Sequence, residues 1–349
     1  MVQFHPTVSE WIKQYARALG FELVGIAPVQ SPPHADSFLL WLAQGYAGAM
    51  DYLERTAHLR IHPEALLPDA RSAIVVGLNY APAEFPEADY RIARYALGDD
   101  YHTVIREKLE TLLGAIQAIE PTAQGRVCID TAPVLERDLA MLAGLGWYGK
   151  NTCLINTHRG SYFFLGVLLL TLELEYDTPA QGGCGECRLC LDACPTSALV
   201  EPYRLDARKC ISYLTIELRD SIPTEYRASL GEWLFGCDIC QEVCPFNRPR
   251  VHQPLRARPA TEPRLQTRPL PRLTEILQMD EAEFAQRFRG SAVKRTKWRG
   301  LVRNALIVAG NKRDPSLRPY MERFLTHEDA LLRETAAWAL AQLNTPRQS

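Results

Sequence analysis

The chain has 349 residues, 47% hydrophobic and 23% charged, enough to bury more than one core, so two or three domains are expected. The longest apolar stretch, Tyr162 to Leu172, is short of the roughly 20 residues a bilayer needs, and Met1 to Gly20 lacks signal-peptide character. A cytoplasmic protein with no membrane partner is expected. Net charge is only −2, but residues 246–320 carry 17 Lys and Arg against 6 Asp and Glu, which suggests a polyanionic partner, most simply nucleic acid. The alternative is a solvated arginine-rich linker.

Thr7 and Ser9 precede an apolar pattern through Trp11, Ile12, Tyr15, Ala16 and Leu19 that stops at Gly20, an amphipathic helix with a capped start. Phe21 to Ala27 reads as a strand, Phe38 to Ala47 as a helix, and Ser72 to Tyr80 as a buried strand by its β-branched run. A proline-broken loop, Ala81 to Pro86, follows. The Gly98-Asp99-Asp100 turn then hands over to a helix carried by Val104, Leu109, Leu112, Leu113 and Ile116, so Tyr101 and His102 lie at its start. Arg126 to Asp130 is a short strand and Val134 to Leu145 a helix, which puts Asp130 at a strand's carboxyl end, where ligands gather in open α/β sheets. Met141 to Thr152 is a glycine-punctuated turn whose amides can approach a large ligand, and Ser161 to Leu172 returns as an apolar strand. Residues 1–175 therefore read as an α/β domain.

Eight of the ten cysteines fall between Cys184 and Cys244. Cys184, Cys187, Cys190 and Cys194 before Pro195 make the C-x2-C-x2-C-x3-C-P run of bacterial ferredoxins, whose fourth cysteine serves the other cluster. Cys237, Cys240 and Cys244 before Pro245 lack one member, which the isolated Cys210 supplies. The crossed rule assigns Cys184, Cys187, Cys190 and Cys244 to one [4Fe–4S] cluster and Cys194, Cys210, Cys237 and Cys240 to the other. Zinc is the weaker alternative, because zinc ribbons use paired C-x2-C knuckles without a third cysteine and C-P. Disulfides are weaker still in a cytosolic chain. Cys128 and Cys153 have no partners at ligand spacing and read as small buried residues.

After this module, residues 176–247, comes an arginine–proline linker, Arg248 to Pro271, and then a helical end. Leu301 to Leu306 and Leu331 to Ala336 match at a spacing of 30 residues, which suggests a short HEAT-like stack; two unrelated amphipathic helices are the alternative. The fold expected is thus an α/β N-terminal domain (1–175), a ferredoxin-like double-cluster module (176–247) and a basic, HEAT-like α-helical region (248–349).

Two cubanes in tandem conduct electrons to a place where bonds change. The chain has no G-x-G-x-x-G after a strand, no P-loop and no C-x3-C-x2-C triplet, so that place belongs to another cofactor in the N-terminal domain. Asp130, beyond apolar Val127, Cys128 and Ile129, is the candidate acid; its pKa is expected to rise near a cofactor that excludes water, and capping of the next helix is its alternative role. Tyr101 and His102 can transfer protons or bind a ring, although His102 alone reads better as a helix-start residue. Arg137 can pair with Asp130 or a phosphate, or sit on the surface.

The stretches RYALGDDYH, the strand-end CID, ERDLAMLAGLGWYGKNTCLI, ISYLTIE after Cys210, FGCDICQEVCPFN and RGLVRNALIVAGN together resemble the epoxyqueuosine reductase family across nearly the whole chain. The resemblance implies a base-off cobalamin in the N-terminal domain, reduced through the two clusters by an external low-potential electron donor. It implies removal of the epoxide oxygen of epoxyqueuosine in a tRNA anticodon loop to give queuosine, the last step of queuosine biosynthesis. Asp130 matches the proton donor, and Tyr101, His102 and Arg137 match the substrate pocket. Asp100-Tyr101-His102 begins like the D-x-H of cobalt-ligating proteins, but Ile105 replaces the glycine that should follow, so His102 is not assigned to cobalt. Lys150, Asn151, Ser161, Ser212, Asp238 and Asp130 are the expected cobalamin contacts, and Arg295, Lys297, Arg299 and Arg303 the expected tRNA contacts. Reduction of a small molecule, as in reductive dehalogenases, and a non-enzymatic ferredoxin-like carrier are the other readings. A monomer is expected.

Overall fold

Four strands make the central sheet: β1 (Leu23–Pro28), β2 (Ser72–Asn79), β3 (Gly125–Cys128) and β4 (Phe163–Leu170), ordered β1-β2-β4-β3. The computed structural model describes residues 7–82, 86–248 and 259–344; positions 83–85 of the proline-broken loop and 249–258 of the arginine–proline linker lie outside the described residues. All three pairings are antiparallel, with Ile74 opposite both Ile26 and Leu168 and Val75 opposite Val167.

Successive side chains alternate between faces. Ile26, Ile74, Val76 and Leu168 face the Val8–Ala18 and Tyr101–Ile119 helices, while Ala27, Ala73, Val75, Val167 and Leu169 face the Glu136–Leu142 helix. Both faces are covered, which is why β2 and β4 are apolar at almost every position. Each fully buried Ile, Leu or Val contributes about 1.5–3 kcal/mol. The rule of open α/β sheets, which guided the reading of Asp130, applies to parallel strands and does not hold here. Antiparallel pairing still brings the carboxyl ends of β2 and β3 and the start of β4 to one edge, because Asn79 pairs with Phe163.

Local signals act as the sequence suggests. Thr7 caps the first helix by accepting from the Glu10 amide, and Asp100 caps the Tyr101–Ile119 helix by accepting from the His102 amide. Asp130 caps nothing: the 136–142 helix follows Leu135 without a side-chain cap.

The cysteine module does not stand apart from what precedes and follows it. Arg91–Ile92 pairs in parallel with Trp233–Phe235, and one core joins Tyr90, Ile92 and Leu97 to Leu234, Phe235 and the helices beyond residue 272. The two similar hexapeptides fall in the Lys297–Lys312 and Ala330–Leu343 helices, which pack so closely that a Cβ on Gly310 would stand 2.8 Å from Ala339 Cα. No described helix is long and apolar enough to cross a membrane.

A candidate active site against the cysteine module

Two short helices, Leu189–Ala193 and Ile239–Glu242, pack on each other and carry Cys190 and Cys240. Each run ends in a cysteine with extended backbone, Cys194 at φ −71°, ψ 110° and Cys244 at φ −69°, ψ 124°, as a following proline requires. The cysteines fall into two neighbourhoods. Cys184, Cys187, Cys190 and Cys244 line one cavity of about 40 Å³ together with Asn151, Ile155 and Phe246. Burial pushes the Cys190 thiol up to about 11, and the thiols adding to it are Cys184 and Cys244. Burial likewise pushes the Cys237 thiol up, and there the neighbours are Cys210 and Cys194. Cys184, Cys187, Cys190 and Cys244 thus share one neighbourhood, and Cys194, Cys210, Cys237 and Cys240 another. Backbone amides aim at two of the sulfurs, Lys150 N at Cys184 Sγ (3.4 Å) and Ala198 N at Cys194 Sγ (3.3 Å).

A cleft of about 540 Å³ opens between the sheet edge and this module. Tyr80, Tyr95, Tyr101, Phe163 and Phe164 supply flat aromatic wall, Asp130, Glu136 and Arg137 supply ionisable groups, and Cys153, Cys210, Ser212 and Gln241 come from or lie against the cysteine side. Its size is that of ordinary small-molecule sites. Among the described residues, no histidine lines it.

Asp130 sits two residues past β3 in a left-handed backbone conformation, φ 32°. Its Oδ2 accepts from the Tyr101 hydroxyl at 2.8 Å and pairs with His102 Nε2 at 3.2 Å, while His102 Nδ1 meets Asp100 Oδ1 at 2.8 Å. The imidazole thus bridges two carboxylates. Burial opposes its charge, but those two hydrogen bonds win and raise its pKa to about 9, so His102 is an imidazolium at neutral pH. The Tyr101 ring is fixed by stacking on Phe164, with centroids 4.1 Å apart and planes 6° from parallel.

The expected rise in the Asp130 pKa is corrected by this geometry. Asp130 is 61% exposed because it faces the cleft. Surrounding protein still pushes its carboxyl up, but the hydrogen bonds from His102 and Tyr101 outweigh that and hold it below the usual carboxylate range. Apolar neighbours in sequence did not reveal the two donors reaching in from another helix.

Other expected residues scatter. Arg137 lines the cleft and donates from Nη1 to Thr152 O. Ser161 and Ser212 line it too, the first donating to Gln241 Oε1 at 2.8 Å, the second to Cys237 O at 3.5 Å. Lys150, Asn151 and Asp238 are corrections: none lines the cleft. Lys150 Nζ donates to Gly185 O and Cys187 O, Asn151 Nδ2 to Cys240 O, and Asp238 is 2% exposed and paired with Arg94 at 3.1 Å. Nearness in sequence to the glycine turn and the cysteines gave them a place near the clusters, not on the ligand wall. Cys153 is also corrected, since it is not packed away but lines the cleft against Cys240.

On the basic segment, Arg303 is a correction. It is 0% exposed, donating to Leu214 O, Leu218 O and Asp220 O, so no phosphate can reach it. Arg295 pairs with Glu217 at 2.7 Å and Arg299 with Asp329, each keeping part of its surface outside; Lys297 is exposed. Sequence reasoning missed Glu136, an acid six residues beyond Asp130 on the same wall, although ERD at a helix start beside a strand-end acid is a legible signal.

A cysteine-rich module closing one side of an acid-bearing cleft defines the class first. Residues 183–247 match the model of a 4Fe-4S double cluster binding domain, so the chain is an iron–sulfur oxidoreductase. Residues 60–131 match the model described as epoxyqueuosine reductase QueG, DUF1730. The chain is 40% identical to the epoxyqueuosine reductase of Escherichia coli (strain K12), over 96% of its own length and 89% of that protein's, and 41% identical to the one from Pseudomonas aeruginosa, over 95% and 94%. It therefore belongs to the epoxyqueuosine reductase family. Among solved structures it resembles that of epoxyqueuosine reductase with an epoxyqueuosine-modified tRNA-Tyr stem loop, at TM-score 0.84 and 30% identity, covering 97% of this chain and 90% of that one. It also resembles the enzyme from Streptococcus thermophilus, at TM-score 0.85 and 27% identity, covering 98% and 92%.

Proposed function

We propose that this protein reduces epoxyqueuosine to queuosine in the anticodon loop of tRNA, as a cytoplasmic monomer supplied with electrons by an external low-potential donor. The observation that carries the reading is one cleft with Asp130 and its hydrogen-bonded partners on one wall and Cys210 on the other. Family membership supplies the substrate. Cys184, Cys187, Cys190 and Cys244 hold one [4Fe–4S] cluster, and Cys194, Cys210, Cys237 and Cys240 the one nearer the cleft.

The cleft residues fit a base-off cobalamin. Aromatic walls suit a flat macrocycle, Ser161 and Ser212 offer hydroxyls, and no described lining residue presents an imidazole to a metal. When bound, cobalamin supplies a strongly reducing cobalt centre. Every other task falls to the chain. His102, charged at neutral pH, passes its proton through Asp130 to the epoxide oxygen, which otherwise leaves as an alkoxide. Tyr101 fixes the Asp130 carboxylate, and Arg137 and Tyr101 line the substrate pocket. A base in a stack cannot reach such a cleft, so the modified nucleotide enters flipped. The Lys297–Lys312 and Ala330–Leu343 helices form a HEAT-like pair that, with the exposed Lys297 and the outer edges of Arg295 and Arg299, holds stem and loop phosphates.

Metal analysis of protein purified without oxygen and reconstituted with cobalamin tests the cofactor set. About eight iron atoms per cobalt are expected, the sum of two cubanes and one corrinoid. Zinc in place of iron, or no retained cobalt, contradicts it.

A further inference from the structure

Removing an epoxide oxygen as water takes two electrons and two protons. One C–O bond opens and its oxygen takes a proton as a hydroxyl; the second C–O bond then breaks, that oxygen leaves as water with another proton, and the electron pair ends in the new C=C bond. The low-potential donor supplies the electrons, and the Asp130–His102 pair accounts for one proton. We propose that Glu136 delivers the other, as a second catalytic acid of the same cleft, an assignment that rests on the reading of the site given above.

The placement is specific. Past β3 the chain turns back on itself, with Ala132 N donating to Ile129 O and Val134 N to Ala132 O, so the first residue of the Glu136–Leu142 helix returns to the wall that carries Asp130. The two arginines near Glu136 are committed elsewhere: Arg60 donates to Val134 O and Thr56 Oγ1, and Arg137 to Thr152 O. Among the described residues, Glu136 has no ion pair and no side-chain hydrogen bond from another residue. Desolvation by the surrounding protein and then the charge on Asp130 push the carboxyl of the half-buried Glu136 up to about 7, against the lowering pull of its own backbone amide, Arg137 and Arg60. Cys128 on β3, Tyr101 on the long helix and Tyr148 in the short Trp147–Tyr148 strand also feel it, and none of these is charged at neutral pH. Two carboxyl groups with opposed proton affinities on one wall are how a site keeps one acid ionised and the other loaded. Because each charge raises the other's proton affinity, Glu136 stays protonated while Asp130 is ionised and releases its proton more readily once Asp130 has been refilled.

The test is single-turnover conversion of an epoxyqueuosine-carrying tRNA stem loop by the reduced, cobalamin-loaded enzyme across pH, with infrared titration of the carboxyl C=O band in the resting protein. In the wild type the rate is expected to hold below about pH 7 and fall tenfold per unit above it, with a protonated-carboxyl band lost over the same range. Glu136→Gln is expected to slow conversion at least ~100-fold at unchanged iron and cobalt content, and to remove both limb and band, whereas Glu136→Asp keeps a limb. A Glu136→Gln enzyme with wild-type rate and pH profile, or a wild-type band untouched by the substitution, overturns the proposal alone. A wild type that never converts the epoxide overturns the reading of the site as well.

Discussion

At the scale of single residues, Asp130 shows how far a carboxylate's behaviour depends on what reaches it from elsewhere. Its position past a strand was legible in the sequence, since an apolar run ending in an acid marks a strand edge. Its proton affinity was not, because the sign is set by Tyr101 and His102, brought in by the cap that Asp100 makes 30 residues earlier. Its backbone, at φ 32°, is one that asparagine tolerates well, so Asp130→Asn preserves the turn while removing the acid. That variant is expected to keep its iron, sulfide and cobalamin and to convert the modified tRNA 10²–10⁴-fold more slowly, by the usual worth of a general acid, roughly. Full activity removes Asp130 from the chemistry. His102 adds a pH effect on stability. Its folded pKa of about 9 lies above its unfolded value of about 6.5, so the stabilisation it gives is complete below that unfolded value and is lost as pH rises through about 9. The melting-temperature difference between wild type and His102→Ala is expected to shrink over that window, and a difference constant across it contradicts the bridge between Asp100 and Asp130.

At the scale of elements, strand and helix positions followed from periodicity and caps, but strand direction did not. Apolar runs such as Ser72–Asn79 suggest a parallel sheet because parallel sheets are covered on both faces; here helices cover both faces of an antiparallel one. The repeat at residues 301 and 331 was equally visible, yet its two arginines differ in environment. Arg303 is sealed against the Ile211–Ile216 helix end, where burial and the nearby Arg219, Arg299 and Arg227 lower its pKa to about 9, whereas Arg333 is exposed. A repeat in sequence does not tell which copy meets the neighbouring module. Arg303→Met is therefore expected to destabilise the fold by about 3 kcal/mol or more, read by denaturant unfolding, since three carbonyls lose their donor. Lys297→Glu is expected to do the reverse, leaving stability within about 0.5 kcal/mol while weakening tRNA binding and reducing its salt slope by about 1 or more. Loss of tRNA affinity from Arg303→Met without loss of stability contradicts the burial argument.

At the scale of the whole molecule, the cysteine module was the most legible part, because ligand spacing around a cubane is a local property of a few turns. What the spacing could not show is how the module is held. Asn304 donates to Thr215 O and Leu234 O, Asn247 to Ser161 Oγ, and Asn151 to Cys240 O, so the flanking regions lock the cysteine loops from both sides and set the cleft against Cys210. This arrangement joins an electron path to an acid-bearing pocket that removes the epoxide oxygen of a modified tRNA base. The most direct measurement is mass analysis of an epoxyqueuosine-carrying tRNA stem loop after one turnover with the cobalamin-loaded, chemically reduced protein. Loss of one oxygen atom from the modified base is the result expected, and an unchanged base in the presence of intact clusters and bound cobalamin contradicts the account.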